Sequence, residues 1–273
     1  MKNAAKVLSS LRIVGKGKFN LSKFKTNATE GIADKQAAKD RLVTLTEELV
    51  NLQMKFYAQS KNGLLLVFQA MDTGGKDGVI RRVFGPLNPQ GVGVTSFKRP
   101  TGYELSHDYL WRIHPHVPAK GMIRIFNRSH YEDVLVHRVH KLISKKTLEN
   151  RYRQLNDFER YLAENNVVIL KFFLHISKDE QKERLESRLQ DPEKGWKFEA
   201  GDLKERGFWD RYQEAYEAMI DKCSTPHAPW FVVPADSKWY RDWIVAEIVH
   251  KTLKDLKPEY PMEQEGLDDI VIE

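Results

Sequence analysis

Residues 70–78 combine glycine, lysine and aspartate in a pattern that can bind phosphate, and they read Ala-Met-Asp-Thr-Gly-Gly-Lys-Asp-Gly. The apolar run 64–68 before them is typical of a buried parallel strand, and a helical pattern follows them. Gly74 and Gly75 allow backbone N–H groups to converge on an anion, and the N-terminus of a helix adds partial positive charge. This order predicts a phosphate-binding loop in which Lys76 reaches the outer phosphates.

The loop departs from the usual G-x4-G-K-[ST] pattern at two positions. Ala70 stands where the first glycine is usual, and Asp77 stands where a Mg²⁺-binding serine or threonine is usual. Asp72 and Asp77 would repel bound phosphate unless a cation compensated the charge of the carboxylates and the phosphate, so these two residues predict a Mg²⁺ site. The alternative is a glycine-rich turn with a surface lysine, but strand, spacing, lysine and helix together favour phosphate binding.

The composition is that of a globular domain with one sizeable core. The chain has 273 residues, of which 41% are hydrophobic and 30% charged, and its formal net charge is +6. The small basic excess indicates only a tendency toward anionic partners. Cys223 is the single cysteine, so no intramolecular disulfide can form. The N-terminus lacks the apolar run of a secretory signal, and no segment approaches the ~20 apolar residues of a membrane span. We therefore expect a cytoplasmic protein.

The patterns predict five strands with helices between them, which indicates an α/β fold. We expect an irregular N-terminal arm over 1–34, one domain over 35–257 and an acidic tail over 258–273. The predicted strands cover 64–68, 93–97, 121–126, 167–174 and 230–234, and the main predicted helices cover 34–59, 103–113, 141–166, 203–222 and 239–256.

Polar residues follow two of these strands, at the edge where open α/β sheets bind ligands. Lys98 and Arg99 follow the second strand, and Asn127 and Arg128 follow the third, with Glu132 just beyond. Arg128 offers a forked donor that could lie over a transferring phosphate. The alternatives are a solvated loop for Lys98 and Arg99, and a surface ion pair for Arg128.

The segment 184–206 has the features of a mobile lid. Arg184 and Arg188 are four residues apart and share a helix face, and a stretch with proline and glycine at 191–198 ends that helix. Basic helices on both sides of such a break favour a lid over a phosphate site, and the alternative is an ordinary pair of charged helices.

Three motifs together resemble the family-2 polyphosphate kinases. They are the loop at 70–78, the run Phe-Asn-Arg-Ser-His-Tyr at 126–131, and Arg188 followed by Asp-Pro-x-Lys-x-Trp-Lys at 191–197. The order and spacing are those of the family, and the resemblance covers about residues 35–256. It implies a thymidylate-kinase-like phosphate-loop fold, in which the five-stranded sheet is parallel and flanked by helices, with a helical lid. It also implies Mg²⁺-dependent transfer of phosphate between inorganic polyphosphate and nucleotides.

The resemblance also implies roles for individual residues. Asp72, Lys76, Arg128 and Arg188 would be catalytic, and Asp72 and Asn127 would hold the metal. The further residues implied in phosphate or nucleotide binding are Thr73, Gly74, Gly75, Asp77, Gly78, Arg81, Lys98, Arg99, Glu132, Lys194 and Lys197. Many members have aspartate at the position of Asn127, and the asparagine form is similar to the subgroup that phosphorylates both AMP and ADP.

Two other functions are compatible with parts of the sequence. An ATP-dependent nucleoside monophosphate kinase would share the loop and the lid and would differ in the phosphate donor. A nucleic-acid-binding protein would use the basic surface, but the basic excess is small and no known binding module is visible. We expect no nucleic acid, no membrane and a homodimer or homotetramer. Guanine nucleotides, the reaction direction and the polyphosphate length stay open.

Overall fold

The computed structural model describes residues 2–15, 17, 19–193, 195 and 200–262. Within them one sheet of six strands has the order β1-β6-β5-β2-β4-β3. Its strands are β1 (Arg12–Ile13), β2 (Gly63–Gln69), β3 (Val92–Ser96), β4 (Ile123–Asn127), β5 (Val167–His175) and β6 (Trp230–Pro234). All neighbours pair in parallel except β1, which is antiparallel to β6. The predicted α/β class is confirmed.

The prediction of five strands and of an irregular arm is wrong, because the first residues of the chain are folded. They form a helix, α1 (Lys2–Leu11), and then strand β1, which pairs Arg12 with Phe231 and Ile13 with Trp230. The Ser224 hydroxyl also donates a hydrogen bond to the Ile13 carbonyl. A strand of two residues has no periodicity to detect, and only its pairing with a distant segment creates it.

The remaining helices of the described residues are α2 (Lys35–Gln59), α3 (Lys76–Val79), α4 (Gly102–Leu105), α5 (Glu132–Val139), α6 (Lys145–Glu164), α7 (Lys178–Gln190), α8 (Ala200–Arg206), α9 (Trp209–Cys223) and α10 (Lys238–Asp255). Helix α2 begins as predicted, since the Asp34 side chain accepts a hydrogen bond from the Ala37 N–H at 2.8 Å. Helix α3 continues as a π-helical turn, Ile80–Phe84.

Three predicted helices have different bounds. The helix predicted over 103–113 ends after one turn, at Leu105, and turns follow it. The helix predicted over 141–166 begins at Lys145, because the Ser144 side chain caps it. The helix predicted over 203–222 is two helices, α8 and α9, with a break at Gly207, whose N–H bonds the Leu203 and Lys204 carbonyls. In each case local hydrogen bonds decide the boundary.

Strands β2 and β5 lie at the centre of the sheet, and almost every side chain in them is buried. Helices pack in two groups: α1, α2 and α3 each contact α10, and α5, α6 and α9 contact one another. Because β2 and β4 are parallel, with Phe68 opposite Asn127, the loop after β2 and the segment after β4 lie at the same edge of the sheet. Among the described residues, no helix has the length and apolar character to cross a membrane.

The last residue of β5 makes the stability of the fold depend on pH. Burial lowers the pKa of His175 to about 4, although the Asp236 charge acts in the opposite direction. Above pH 6.5 the imidazole is neutral in both states and contributes nothing. Below pH 6.5 the unfolded chain binds the proton first, so the free energy of unfolding falls by about 2 kcal/mol between pH 7 and pH 5.

Urea unfolding at the two pH values tests this expectation. His175→Gln should lose most of the pH dependence between pH 7 and pH 5, because glutamine does not titrate. His116→Gln, which replaces an exposed histidine, should keep it. Equal pH dependence in wild type and His175→Gln would contradict the assignment.

Candidate functional site

The loop after β2 makes a tight turn that leads directly into helix α3. Thr73 and Gly75 have left-handed φ angles of 61° and 97°, and helix α3 begins at the next residue, Lys76. The Lys76 ammonium donates to the Ala70 carbonyl at 3.1 Å. Burial lowers the pKa of Lys76, the Arg128 charge lowers it further, and Asp72 raises it. The loop therefore has the strand–loop–helix arrangement of an anion site, with a buried lysine at its base.

Two arginines from distant helices support this loop. Arg184 in α7 donates to the Thr73 carbonyl at 3.0 Å and to the Ala235 carbonyl at 2.6 Å. The Arg241 guanidinium in α10 lies where a Cβ on Gly75 would be, since that Cβ would come within 1.9 Å of its Nη1 atom. Sequence reasoning assigned Arg184 to the lid and missed Arg241, because nothing local in α10 indicates that it reaches residue 75.

The segment after β4 meets the loop through two short contacts. The Arg128 guanidinium donates to Asp72 Oδ1 at 2.6 Å, and the Asn127 amide nitrogen donates to Asp77 Oδ1 at 2.6 Å. Both aspartates of the loop are thus paired with residues that the sequence analysis placed in the site.

Glu132, the first residue of α5, interacts electrostatically with Arg128, Lys76 and Asp72. Burial raises the pKa of Glu132, while the Arg128 and Lys76 charges lower it and Asp72 raises it. Tyr216 in α9 faces this group, and burial together with the Glu132 charge raises its pKa well above the usual value. The sequence analysis did not assign Tyr216 to the site, because aromatic residues at helical spacing are more often core residues.

Arg188 joins the site from α7. Its Nη1 atom lies 3.5 Å from Asp202 Oδ2, and the Asp202 charge raises the pKa of Arg128. Asp202 therefore contacts Arg188 and lies within electrostatic range of Arg128, whose nearest acidic partner is Asp72.

The other predicted residues lie around this centre or outside the described residues. Lys98 and Arg99 follow β3, next to β4 in the sheet, and both are exposed. Arg81 is exposed on the π-helical turn, and Gly78 lies beside Arg241. Lys194 and Lys197 lie outside the described residues.

The donor set suits Mg²⁺ held jointly by protein and phosphate. No group of three histidine, cysteine or acidic side chains in the described part of the chain forms a metal cage. Mg²⁺ usually takes one or two carboxylates and completes its shell with water and substrate phosphates, and Asp72 beside the loop fits that role. The buried Thr73 hydroxyl has no hydrogen-bond partner among the described residues, so it too can receive a bound group. Asn127 retains its amide oxygen for a cation, because its nitrogen bonds Asp77.

The fold and the site define an α/β protein with a mostly parallel sheet. At the carboxyl edge of this sheet lie a glycine-rich loop, a buried lysine and two arginines that bond the loop. The family model for polyphosphate kinase 2 (PPK2) matches residues 32–261. The chain therefore belongs to the polyphosphate kinase 2 family.

Individual relatives are similar to this chain in sequence or structure over nearly its full length. It is 52% identical to the AMP/ADP-polyphosphate phosphotransferase of Meiothermus ruber, over 97% of this chain and 100% of that one. It is 44% identical to the ADP-polyphosphate phosphotransferase of Rhodopseudomonas palustris, over 91% of this chain and 90% of that one. The crystal structure of polyphosphate kinase 2 from Arthrobacter aurescens superposes with a TM-score of 0.92 and 45% identity, covering 97% of this chain and 94% of that one.

The loop geometry can be tested with a matched pair of glycine variants. Gly75→Ala should lower both the midpoint of urea unfolding and the activity, because its φ is positive and its Cβ would clash with Arg241. Gly102→Ala should change the free energy of unfolding by less than about 1 kcal/mol, since no atom lies near its Cβ position. Equal effects of the two substitutions would contradict the close approach of Arg241.

Proposed function

We propose that this chain is an enzyme that transfers phosphate between inorganic polyphosphate and adenine nucleotides with Mg²⁺, converting ADP to ATP and AMP to ADP. The observation that carries the proposal is the meeting of Lys76, Asp72 and Arg128 at the loop, in a chain of this family. Relatives that share 52% and 44% of their residues with it are named as phosphotransferases acting with polyphosphate.

Phosphoryl transfer needs alignment and charge compensation more than covalent chemistry from the protein. In the forward reaction a terminal oxygen of the nucleotide attacks the last phosphorus of polyphosphate. The bridging P–O bond to the next phosphate breaks, and polyphosphate leaves one unit shorter. The attacking oxygen is already anionic, so no dedicated base is needed, and we assign no phosphoenzyme residue.

Each residue of the site has a role in this transfer. The loop amides hold the phosphate before transfer, and Lys76 and Arg128 compensate the charge that spreads over the moving group. Arg188 adds a cation from the lid side. Bound Mg²⁺ would supply Lewis-acid charge compensation for the transferring phosphate, and Asp72 and Asn127 are the protein groups that would hold it.

The ion pair of Asp72 with Arg128 keeps these two groups ready for substrate. Without phosphate the Asp72 carboxylate balances the Arg128 guanidinium, and a bound phosphate would take over that balance and leave Asp72 available to hold Mg²⁺. Thr73, Gly74, Gly75, Asp77, Gly78, Arg81, Lys98, Arg99, Glu132, Lys194 and Lys197 complete the proposed binding surface.

We assign the domain to the thymidylate-kinase-like phosphate-loop kinases, with a lid over about 184–206 in one domain over 35–257 and an acidic tail over 258–273. Residues 194, 196–199 and 263–273 of these segments lie outside the described residues. The strand order β3-β4-β2-β5-β6 and the loop between β2 and α3 support this assignment. A contact from the lid side to the loop also supports it, because Arg184 in α7 donates to the Thr73 carbonyl. A cytoplasmic homodimer or homotetramer stays a prediction, as does use of guanine nucleotides.

The activity can be tested directly with purified protein, polyphosphate and Mg²⁺. Incubation with ADP should give ATP, and incubation with AMP should give ADP, both measured by chromatography. EDTA in excess over Mg²⁺ should abolish both reactions. A parallel reaction contains AMP with ATP as the phosphate donor in place of polyphosphate. If AMP is phosphorylated by ATP and not by polyphosphate, the protein is a nucleoside monophosphate kinase instead. No product from any nucleotide with polyphosphate would reject the proposal.

The proposed role of Lys76 can be separated from a general effect of charge. Lys76→Ala should lower kcat by roughly 10²–10³, the usual loss when an electrostatic stabiliser of the transition state is removed. Lys61→Ala removes an exposed lysine before β2, at the opposite edge of the sheet, and should leave kcat unchanged. Wild-type kcat in Lys76→Ala would refute the assignment.

A further inference from the structure

A fully buried charged cluster lies behind the segment that carries Arg128. Lys171 in the central strand β5 and Glu159 in α6 both have side chains with 0% exposure. The Lys171 ammonium donates to Glu159 Oε2 at 2.5 Å, to the Tyr131 hydroxyl at 2.8 Å and to the Cys223 carbonyl at 2.6 Å. The three N–H donors of an ammonium thus have three acceptors.

Tyr131 closes the cluster into a ring of hydrogen bonds. Its hydroxyl accepts from Lys171 and donates to Glu159 Oε1 at 2.7 Å. His130 Nε2 lies 3.2 Å from the same carboxylate oxygen. Since Lys171 and His130 both hold the pKa of Glu159 below its usual value despite burial, the carboxylate stays ionised. Two successive residues of one segment are therefore fixed to one buried anion.

Stability alone does not explain why the pair is there. Removing two charges from water costs about as much free energy as their attraction returns, so a buried ion pair seldom adds net stability. An apolar residue would be the ordinary choice for a position such as Lys171, inside a strand whose other side chains are almost all buried and apolar. The cluster therefore has another effect, which is to fix the backbone segment that it contacts.

What it holds is a turn in an uncommon backbone conformation. Arg128 has a left-handed φ of 61°, which costs free energy for a residue with a side chain and persists only where the surroundings impose it. The Arg128 N–H bonds the Phe68 carbonyl on one side of the turn. On the other side the Ser129 hydroxyl accepts from the Tyr131 N–H at 3.2 Å and from Gln69 Nε2 at 3.1 Å.

The anchored turn also begins α5. Glu132 follows Tyr131 directly and is the first residue of that helix. The Tyr131 side chain thus fixes a turn that has Arg128 at its start and Glu132 at its end, and both belong to the charged group at the loop.

We propose that Tyr131, held by the Lys171–Glu159 pair, is a positioning residue that keeps Arg128 aligned for phosphoryl transfer. The inference rests on the proposed function, because it assigns Tyr131 an effect on that reaction. Tyr131 itself does not touch substrate. Its hydroxyl acts through the backbone turn, so its removal should change the rate of transfer more than the binding of nucleotide.

The first test compares two tyrosine variants that each lose one buried hydroxyl. Tyr131→Phe should lower kcat about tenfold, with KM for ADP changed by less than about twofold, because misalignment affects the transition state most. Tyr240→Phe loses one bond, from its hydroxyl to the Glu30 carbonyl at 2.7 Å, and should keep wild-type kcat. Urea unfolding should show a lower midpoint for Tyr131→Phe, because its hydroxyl bonds two buried charged groups, and kcat is compared where both variants are folded.

A double-mutant cycle then separates positioning from general damage to the fold. If Tyr131 acts through Arg128, Tyr131→Phe should lower kcat no further in a protein that already carries Arg128→Ala. The same fold-loss in both backgrounds would overturn the proposal, as would wild-type kcat in Tyr131→Phe.

A second pair of variants keeps the test decisive if Tyr131→Phe unfolds. His130→Gln retains a nitrogen donor toward Glu159 and should keep kcat within about twofold of wild type, whereas His130→Leu should lower it several-fold. Equal activity of the two histidine variants would overturn the proposal. Failure of the proposed function is a different result, since wild type itself would then transfer no phosphate from polyphosphate.

Discussion

The parallel pairing of β2 with β4 is the constraint on which the site depends. In a parallel pair the carboxyl ends of both strands reach the same edge of the sheet, so the loop at 70–78 and the segment at 127–132 must meet there. The contacts of Arg128 with Asp72 and of Asn127 with Asp77 follow from that pairing. A shift of one residue in register would turn the side chains of β4 to the opposite face and separate these groups.

Charge balance explains why so many ionised groups can lie together. Lys76, Arg128 and Arg188 bring positive charge to one region, and Asp72, Glu132 and Asp202 bring negative charge to it. A bound anion and a cation can enter such a group by exchanging partners, with little change in net charge. The arrangement is suited to repeated binding and release of phosphate chains.

The support for this site comes from two separate groups of helices. Arg184 and Arg241 hold the loop from α7 and α10, whereas the cluster around Lys171 and Glu159 fixes the turn after β4 from α5, α6 and β5. Arg184 bonds the Thr73 and Ala235 carbonyls, and Lys171 bonds groups from α6, from α9 and from the turn before α5, so both side chains join separate elements. The loop and the turn after β4 are therefore both held by residues from other parts of the chain.

The sequence by itself determined the central elements and the chemical centre. The loop with Lys76, the strand before it and the arginine after β4 are each encoded by neighbouring residues, so local patterns were enough to find them. The tertiary structure alone decided the sixth strand and the positions of Arg241 and Lys171. These depend on contacts between segments far apart in the chain, such as Arg12 with Phe231 or Gly75 with Arg241, and no local pattern records which distant residue will fill a given space.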